Sequence, residues 1–353
     1  MKKQLGEIAN LKYGKMPNKD LIRDSGYPIF TGYKISGFYP IYMYDKSVII
    51  VVARGVGGTG DVKIAPPKSF ITNLSIIVDI INDKLINKKY LQLLLGSLNL
   101  RNLDSGSAQS QITIAALSKV ELDLPKKDIQ DEIASKIELI ERKIQLNKRI
   151  NDNLLKFTTA YFDSVKKEQY VALKKLLDVR DGTHNSPKQQ KTGYPLVTSK
   201  AIKENTIDFS KTKLISKLDF EEINKRSKVN TNDILVSMIG TVGIIYKVIE
   251  NPVNFAIKNV GLIKAGETSD LANLVYLYLI SKEGQSYINS HLSGSTQQFI
   301  SLSTLRNLPI PTLDNFTIDQ INKIGELLLL ITQNSKQNVI LTALRNEILN
   351  KFF

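Results

Sequence analysis

The chain has 353 residues, 42% hydrophobic and 23% charged, a globular balance with room for two domains. It has no cysteine and only two histidines, His184 and His291, which excludes disulfides and thiolate zinc sites and leaves little material for a histidine metal centre. No signal-peptide pattern opens it and no apolar run reaches membrane-spanning length, so a soluble, cytoplasmic protein without membrane contact is expected.

The formal net charge of +14 is unevenly placed. Residues 1–125 carry 16 Lys/Arg against 10 Asp/Glu, and residues 171–312 carry 18 against 12. Residues 126–170 carry 10 against 8, and residues 313–353 carry 4 against 4. Two segments thus hold +6 each, which suits a polyanion such as nucleic acid, since each neutralised phosphate releases counterions. A lysine-rich surface kept for solubility is the competing explanation.

In chain order, Val48–Val52 reads as a buried β-branched strand running into glycines, and Phe70–Ile80 as a further strand. Tyr90–Leu95 reads as an apolar helix. After Pro125, Ile129, Ile133, Ile137, Ile140 and Ile144 recur at helical spacing, and the pattern runs on through Leu154 to Tyr161. The same series then returns. Ile234–Met238 and Phe255–Lys264 read as strands and Leu274–Ile280 as a helix. A second long stripe follows: Ile321, Ile324, Leu328, Ile331, Leu341, Leu344 and Ile348.

The recurrence extends to landmarks. Gly26-Tyr27-Pro28-Ile29-Phe30-Thr31 matches Gly193-Tyr194-Pro195-Leu196-Val197-Thr198, and Leu5, Ile8 and Gly14 match Leu173, Leu176 and Gly182. Gly106-Ser107-Ala108-Gln109 matches Gly294-Ser295-Thr296-Gln297. Leu117 and Leu305 follow, then prolines (Pro125; Pro309 and Pro311) and a glutamine at each helix mouth (Gln130; Gln320). The offset grows along the chain, so the second copy carries insertions. The expected fold is α+β: two similar domains at 1–125 and 169–312, each followed by a long helix, at 126–168 and 313–353. A helix of such length cannot bury its stripe on one small domain, so antiparallel pairing of the two as a coiled coil is expected. Asn147 and Asn151 interrupt one seam and Asn334 and Asn338 the other, as register-setting positions do.

One cofactor-like motif fails on context. Gly55-Val56-Gly57-Gly58-Thr59-Gly60 has dinucleotide-binding spacing, but Asp61-Val62-Lys63-Ile64-Ala65-Pro66-Pro67 follows, where a helix should open on the pyrophosphate. A glycine turn between strands is expected instead. His184 lies three residues after Asp181 without a partner nucleophile, and no catalytic constellation emerges.

Two polar clusters recur. The first holds Lys12, Tyr13, Lys15 and Asn18, answered by Arg180, Thr183, His184, Asn185 and Lys188. The second holds Ser107, Gln109, Ser110 and Gln111, answered by Ser295, Thr296, Gln297 and Gln298. Asn and Gln amides pair bidentately with adenine, Arg or Lys with guanine, and Ser or Thr with bases or phosphates. Arg54 is a further candidate, although its counterpart Ile239 is apolar. The bland alternative is ordinary surface turns, with Ser or Gln capping a short helix.

With these residues in view, the chain resembles the specificity subunits of type I restriction-modification systems. The carriers are Asp181-Gly182-Thr183-His184 with Pro187, the two Gly-Tyr-Pro strands, Asn232-Asp233-Ile234-Leu235 leading to Gly240, the Gly-Ser-x-Gln turns and the Pro-then-Gln helix entries. The resemblance spans essentially the whole chain. It implies a non-catalytic subunit with two target-recognition domains, each reading one half of an asymmetric bipartite double-stranded DNA sequence, with the helix pair as spacer. It also implies two modification subunits, which hold S-adenosylmethionine and methylate adenine, and restriction subunits, while this chain holds no cofactor. The first copy departs from the pattern: Tyr13-Gly14-Lys15-Met16-Pro17 stands where Asp-Gly-x-His is expected, so reading should differ most there. The competing function is a scaffold whose basic domains bind nucleic acid nonspecifically.

Overall fold

The structure is a computed structural model that describes the chain apart from residues 56–57, 105–109, 204–205 and 267–268. The first copy comprises β1 (Lys2–Gln4), α1 (Leu5–Ile8), β2 (Ala9–Tyr13), β3 (Tyr27–Phe30), β4 (Ile35–Tyr39), β5 (Val48–Val52), β6 (Val62–Ala65), β7 (Phe70–Ile71), β8 (Ser75–Ile80), α2 (Lys88–Ser97), α3 (Ile114–Ser118) and β9 (Glu121–Asp123). The long helix α4 (Lys127–Ser164) follows. The second copy comprises β10 (Tyr170–Ala172), α5 (Leu173–Leu176), β11 (Val179–Asp181), β12 (Tyr194–Val197), β13 (Ile202–Lys203), β14 (Thr206–Ile207), β15 (Lys213–Ile215), α6 (Lys217–Ser227), β16 (Ile234–Ser237), β17 (Ile245–Lys247), β18 (Ala256–Ile257), β19 (Val260–Ile263), α7 (Ser269–Ile280), α8 (Lys282–Ser290), α9 (Leu302–Arg306) and β20 (Pro309–Pro311). The chain then runs through α10 (Ile318–Phe352).

The duplication is topological. Each copy has an antiparallel four-stranded sheet, ordered β2-β8-β5-β6 in one and β11-β19-β16-β17 in the other. Each has a three-stranded sheet, β4-β3-β7 and β15-β12-β18, whose last pair is parallel. Each closes with a two-stranded ribbon, β1-β9 and β10-β20. The growing offset has a physical source: the β13-β14 hairpin and helix α6, between β12 and β16, are additions of the second copy.

The runs Phe70–Ile80 and Phe255–Lys264 are not single strands. Each is two short strands that serve different sheets, β7 then β8 and β18 then β19. In the second copy the break falls on Asn259 with φ +52°, a left-handed conformation that asparagine tolerates better than most residues. Propensity alone does not distinguish one apolar run from two with a turn between them. The matched glycines Gly14 and Gly182 are explained by that same crossing. A Cβ on Gly14 would lie 2.2 Å from the Thr72 carbonyl oxygen, and one on Gly182 2.4 Å from that of Ile257. Only glycine lets the strand cross so closely over the turn.

β5 and β16 are buried on both faces, which accounts for their unbroken apolar runs. In the first copy Ile49 and Val51 face the core that holds Leu91, Leu95, Ile133 and Ile137. Ile50 faces a second, smaller cluster with Ile71 and Ile77. The glycine-rich stretch after β5 turns over Gly58–Gly60 and enters β6, a strand and not a helix, as its prolines require.

The chain falls into two compact units, one of residues 1–143 and 341–353, the other of residues 144–340. The long helices pack together in antiparallel fashion. In the first unit Ile133 and Ile137 share a core with Ile348, Leu349 and Phe353. In the second unit the asparagines of the seam bond to one another and to neighbours. Asn147 Nδ2 donates to Gln337 Oε1 at 2.7 Å and to Asn338 Oδ1 at 3.0 Å. Asn151 Nδ2 donates to Ser335 Oγ at 3.0 Å and accepts at Oδ1 from Asn334 Nδ2 at 2.9 Å. Ile129 and Leu344, at the expected stripe positions, are exposed instead. Among the described residues no helix is long and apolar enough to cross a membrane.

Candidate nucleic-acid interface

In each copy two loops leave the four-stranded sheet at the same end. β2 and β5 are both antiparallel to the strand between them, β8, and therefore parallel to each other. Their C-terminal ends, Tyr13 and Val52, sit against Ile76 and Ser75 on β8. β11 and β16 flank β19 in the same way, with Asp181 against Gly261 and Ser237 against Val260.

In the first copy this brings together Tyr13, Arg54 and Gln111. The Arg54 guanidinium lies 5.8 Å from the Tyr13 ring centroid, within cation–π range. The Tyr13 hydroxyl donates to the Ile112 carbonyl at 3.4 Å. Arg54 bridges Gln111 through the backbone, and the Ile112 N–H donates to the Ala53 carbonyl at 3.0 Å. Asp104 fixes the loop's exit by accepting from the Gln111 N–H at 2.7 Å and from the Ser110 hydroxyl. Lys15, exposed, leaves the sheet end with its N–H on the Ile71 carbonyl. Ser107 and Gln109 lie outside the described residues.

Lys12 and Asn18 lie apart from this cluster. Lys12, one residue before Tyr13 on β2, is on the opposite face, with its ammonium 5.0 Å from the Tyr44 ring centroid. Asn18 caps a short 3-10 turn through the Asp20 N–H at 3.1 Å and gives its own N–H to the Tyr39 hydroxyl.

In the second copy the sheet end holds Thr183, His184 and Asn185 beside the turn after β16. The Gly240 N–H donates to the Gln298 carbonyl at 3.1 Å, and the Ile300 N–H to the Met238 carbonyl at 2.9 Å. Ser293 and Phe299 exchange backbone hydrogen bonds and close the loop between them. Gly294 has φ +92°, and a Cβ there would lie 2.3 Å from the Gln297 carbonyl oxygen, so the turn requires glycine. Ser295, Gln297 and Gln298 are exposed on this pinned loop. None of the three caps the helix that follows: Ser301 caps α9, and Thr113 caps α3 in the first copy. The position matching Arg54 is Ile239, and it bridges Phe299 as Arg54 bridges Gln111. Identical backbone positions thus carry a cation in one copy and an alkyl chain in the other.

His184 is held on both sides. Nε2 lies 2.9 Å from Asp181 Oδ2 and Nδ1 2.8 Å from Asn259 Oδ1. Buried Asp181 also accepts from Arg226 on α6. The chain Asn259–His184–Asp181–Arg226 ties the loop after β11 to the β18–β19 turn, a positioning role. Arg180, on the other face of β11, gives Nε to Asp178 Oδ2 at 2.7 Å and Nη1 to the Arg226 carbonyl at 2.9 Å. Lys188 is exposed, further along the loop.

Several contributors were not read from the sequence. Lys225, Arg226 and Arg306 border a cleft beside β11 with Arg180 and His184. Lys225 and Arg226 sit on α6, which has no partner in the first copy, so alignment of the repeats passed over them. The Asn232-Asp233 motif proves to be structural. Asp233 is buried and accepts from the Asn230 N–H at 2.7 Å, the Ala265 N–H at 3.0 Å and the Lys264 ammonium. The two helix-entry glutamines also differ. Gln320 accepts from the Thr317 N–H at 2.9 Å as a capping box, whereas Gln130 is buried and accepts from the Asn87 N–H at 3.0 Å.

The chain matches the family model described as "Type I restriction modification DNA specificity domain" twice, over residues 1–156 and 166–322. Among solved structures it is similar to the type I restriction-modification system S subunit from M. genitalium, at 19% identity and TM-score 0.66, covering 100% of this chain and 96% of that one. It also aligns with the HsdS subunit from Thermoanaerobacter tengcongensis, at 14% identity and TM-score 0.33, covering 99% of this chain and 95% of that one. The comparison with curated proteins returned no match.

Proposed function

The chain belongs to the type I restriction-modification DNA specificity family, the non-catalytic component that confers DNA sequence specificity, and on that premise we propose that it reads a bipartite, asymmetric double-stranded target. Each copy reads one half-site with the polar loops at the end of its four-stranded sheet. The reading is supported by one observation above the others: those loops share a backbone frame but present different chemistry. Tyr13, Arg54 and Gln111 stand in one copy, and Thr183, Asn185, Ile239, Gln297 and Gln298 in the other. Arg and Gln supply the bidentate pairings that distinguish guanine and adenine in the major groove, and an alkyl chain suits a thymine methyl group. Unlike loops on a like frame make unlike half-sites.

In this proposal the paired helices set the interval between the half-sites. Modification subunits carrying S-adenosylmethionine methylate adenine within the target, and restriction subunits join the same assembly. Mapping methylated adenines in cells that express the chain with its modification subunits tests the proposal. Two short motifs at one fixed interval are expected. A single contiguous motif, or none, contradicts it.

A further inference from the structure

The edge strand β11 borders a cleft of about 740 Å³ in the second unit. Its wall carries Arg180, Lys225, Arg226 and Arg306 against Asp178 and Asp181, a formal +2 without counting His184. The carboxylates are already committed. Asp178 Oδ2 takes two nitrogens of Arg180, at 2.6 and 2.7 Å, and Asp181 holds Arg226 and His184. Lys225 pairs with Glu222.

Arg306 differs. Its Nε donates to the Val179 carbonyl at 3.0 Å, and among the described residues no carboxylate pairs with its guanidinium. Basic residues in the last turn of a helix often serve that helix's own carbonyls. Arg306 ends α9 but bonds to β11 instead, which holds its fork at the cleft. With Nε tethered, the Nη nitrogens remain to meet an oxyanion, and a guanidinium suits phosphate well.

We propose that this cleft seats a phosphate of the DNA backbone and that Arg306 is the group that contacts it, an inference that rests on the DNA-reading proposal above. Its location supports this. β11 leads directly into Thr183–Asn185, and α9 follows directly on the 294–299 loop, so Arg306 ties together the two elements that carry the candidate readers. Backbone contacts of this kind fix register while bases specify sequence. The first copy has Ser118 at the position matching Arg306 and no counterpart of α6, so the seat belongs to the second copy alone.

The test measures affinity against salt for the full chain with its modification subunits, on the duplex carrying the mapped target and on a scrambled duplex of equal length. One phosphate contact contributes a slope of about −0.9, or about 3.5-fold of the affinity lost between 50 and 200 mM salt. Arg306→Ala should weaken both duplexes by the same factor and make the slope shallower by about 1, and Arg306→Lys should restore most of the slope. Asp178→Asn, which removes the carboxylate that neutralises Arg180 at the cleft, should steepen it, and this arm stands even if Arg306→Ala fails to fold. An unchanged slope in Arg306→Ala, or in Asp178→Asn when that is the only folded variant, overturns the seat. So does a loss confined to the mapped duplex, which would make Arg306 a base reader. If the wild-type complex binds both duplexes equally, the bipartite reading falls, while the slopes still decide the phosphate contact.

Discussion

At the residue scale, Lys247 shows what burial does to a cation. Its ammonium donates to Asn273 Oδ1 at 2.6 Å, and burial lowers its pKa to about 8 from an ordinary 10.5. Below pH 8 both folded and unfolded chains hold the charged form, and the folded state carries the full desolvation cost. Between 8 and 10.5 the folded lysine is neutral while the unfolded one stays charged. The unfolded state then binds more protons, so stability rises with pH, by about 3 kcal/mol at most. Thermal unfolding of wild type and Lys247→Met from pH 7 to 9.5 should show the wild type gaining on the variant above pH 8. Parallel curves would remove Lys247 from the account. Gln297 belongs to the same scale. Gln297→Ala should cost about 1–3 kcal/mol on one half-site if its amide pairs bidentately with a base, read by competition between duplexes altered in each half. Equal affinity for every duplex excludes it as a reader. The sequence showed Gln297 as a candidate because a glycine turn with polar neighbours recurs in both copies. The partners that hold His184 were not legible there: Asn259 bonds it directly and Arg226 acts through Asp181, and both are brought near only by the fold.

At the element scale, the periodicities were clear where burial is one-sided or complete. Long helices, the β-branched strands and the apolar helices after them all declare themselves. The broken runs do not, because a strand that changes sheet keeps its composition; only Asn259 and the crossing glycines mark the change. Gly182→Ala should therefore be severe. The added methyl meets a carbonyl with no room to yield, and a loss of more than about 2 kcal/mol is expected by denaturant unfolding. A loss below about 0.5 kcal/mol would mean the crossing is loose. The helix seam depends on pairwise detail as well. Asn151→Ala removes a buried amide and leaves half-buried Asn334 without its acceptor, and a cost of about 1–3 kcal/mol is expected in the same assay. Sequence exposed the asparagines, but not Gln337 and Ser335, which look like any polar helix residue until the facing helix is known.

At the scale of the whole molecule, the duplication was the most legible feature, because matched landmarks kept their order. It located the +6 charge of each copy. Its weakness lay in the insertions: α6 brings cations to the cleft beside β11 that no internal comparison could supply. Helix length adds a mechanical consequence. Four extra residues within 128–165 should alter the interval between half-sites and leave each half-site intact, whereas an unchanged interval would end the spacer idea. The central claim, two different half-sites read by two copies of one frame, is tested most directly by selecting binders from random duplexes with the full chain and its modification subunits. Enrichment of two dissimilar short motifs at a single fixed interval is the predicted result. A lone contiguous motif, two identical motifs or no enrichment would contradict it.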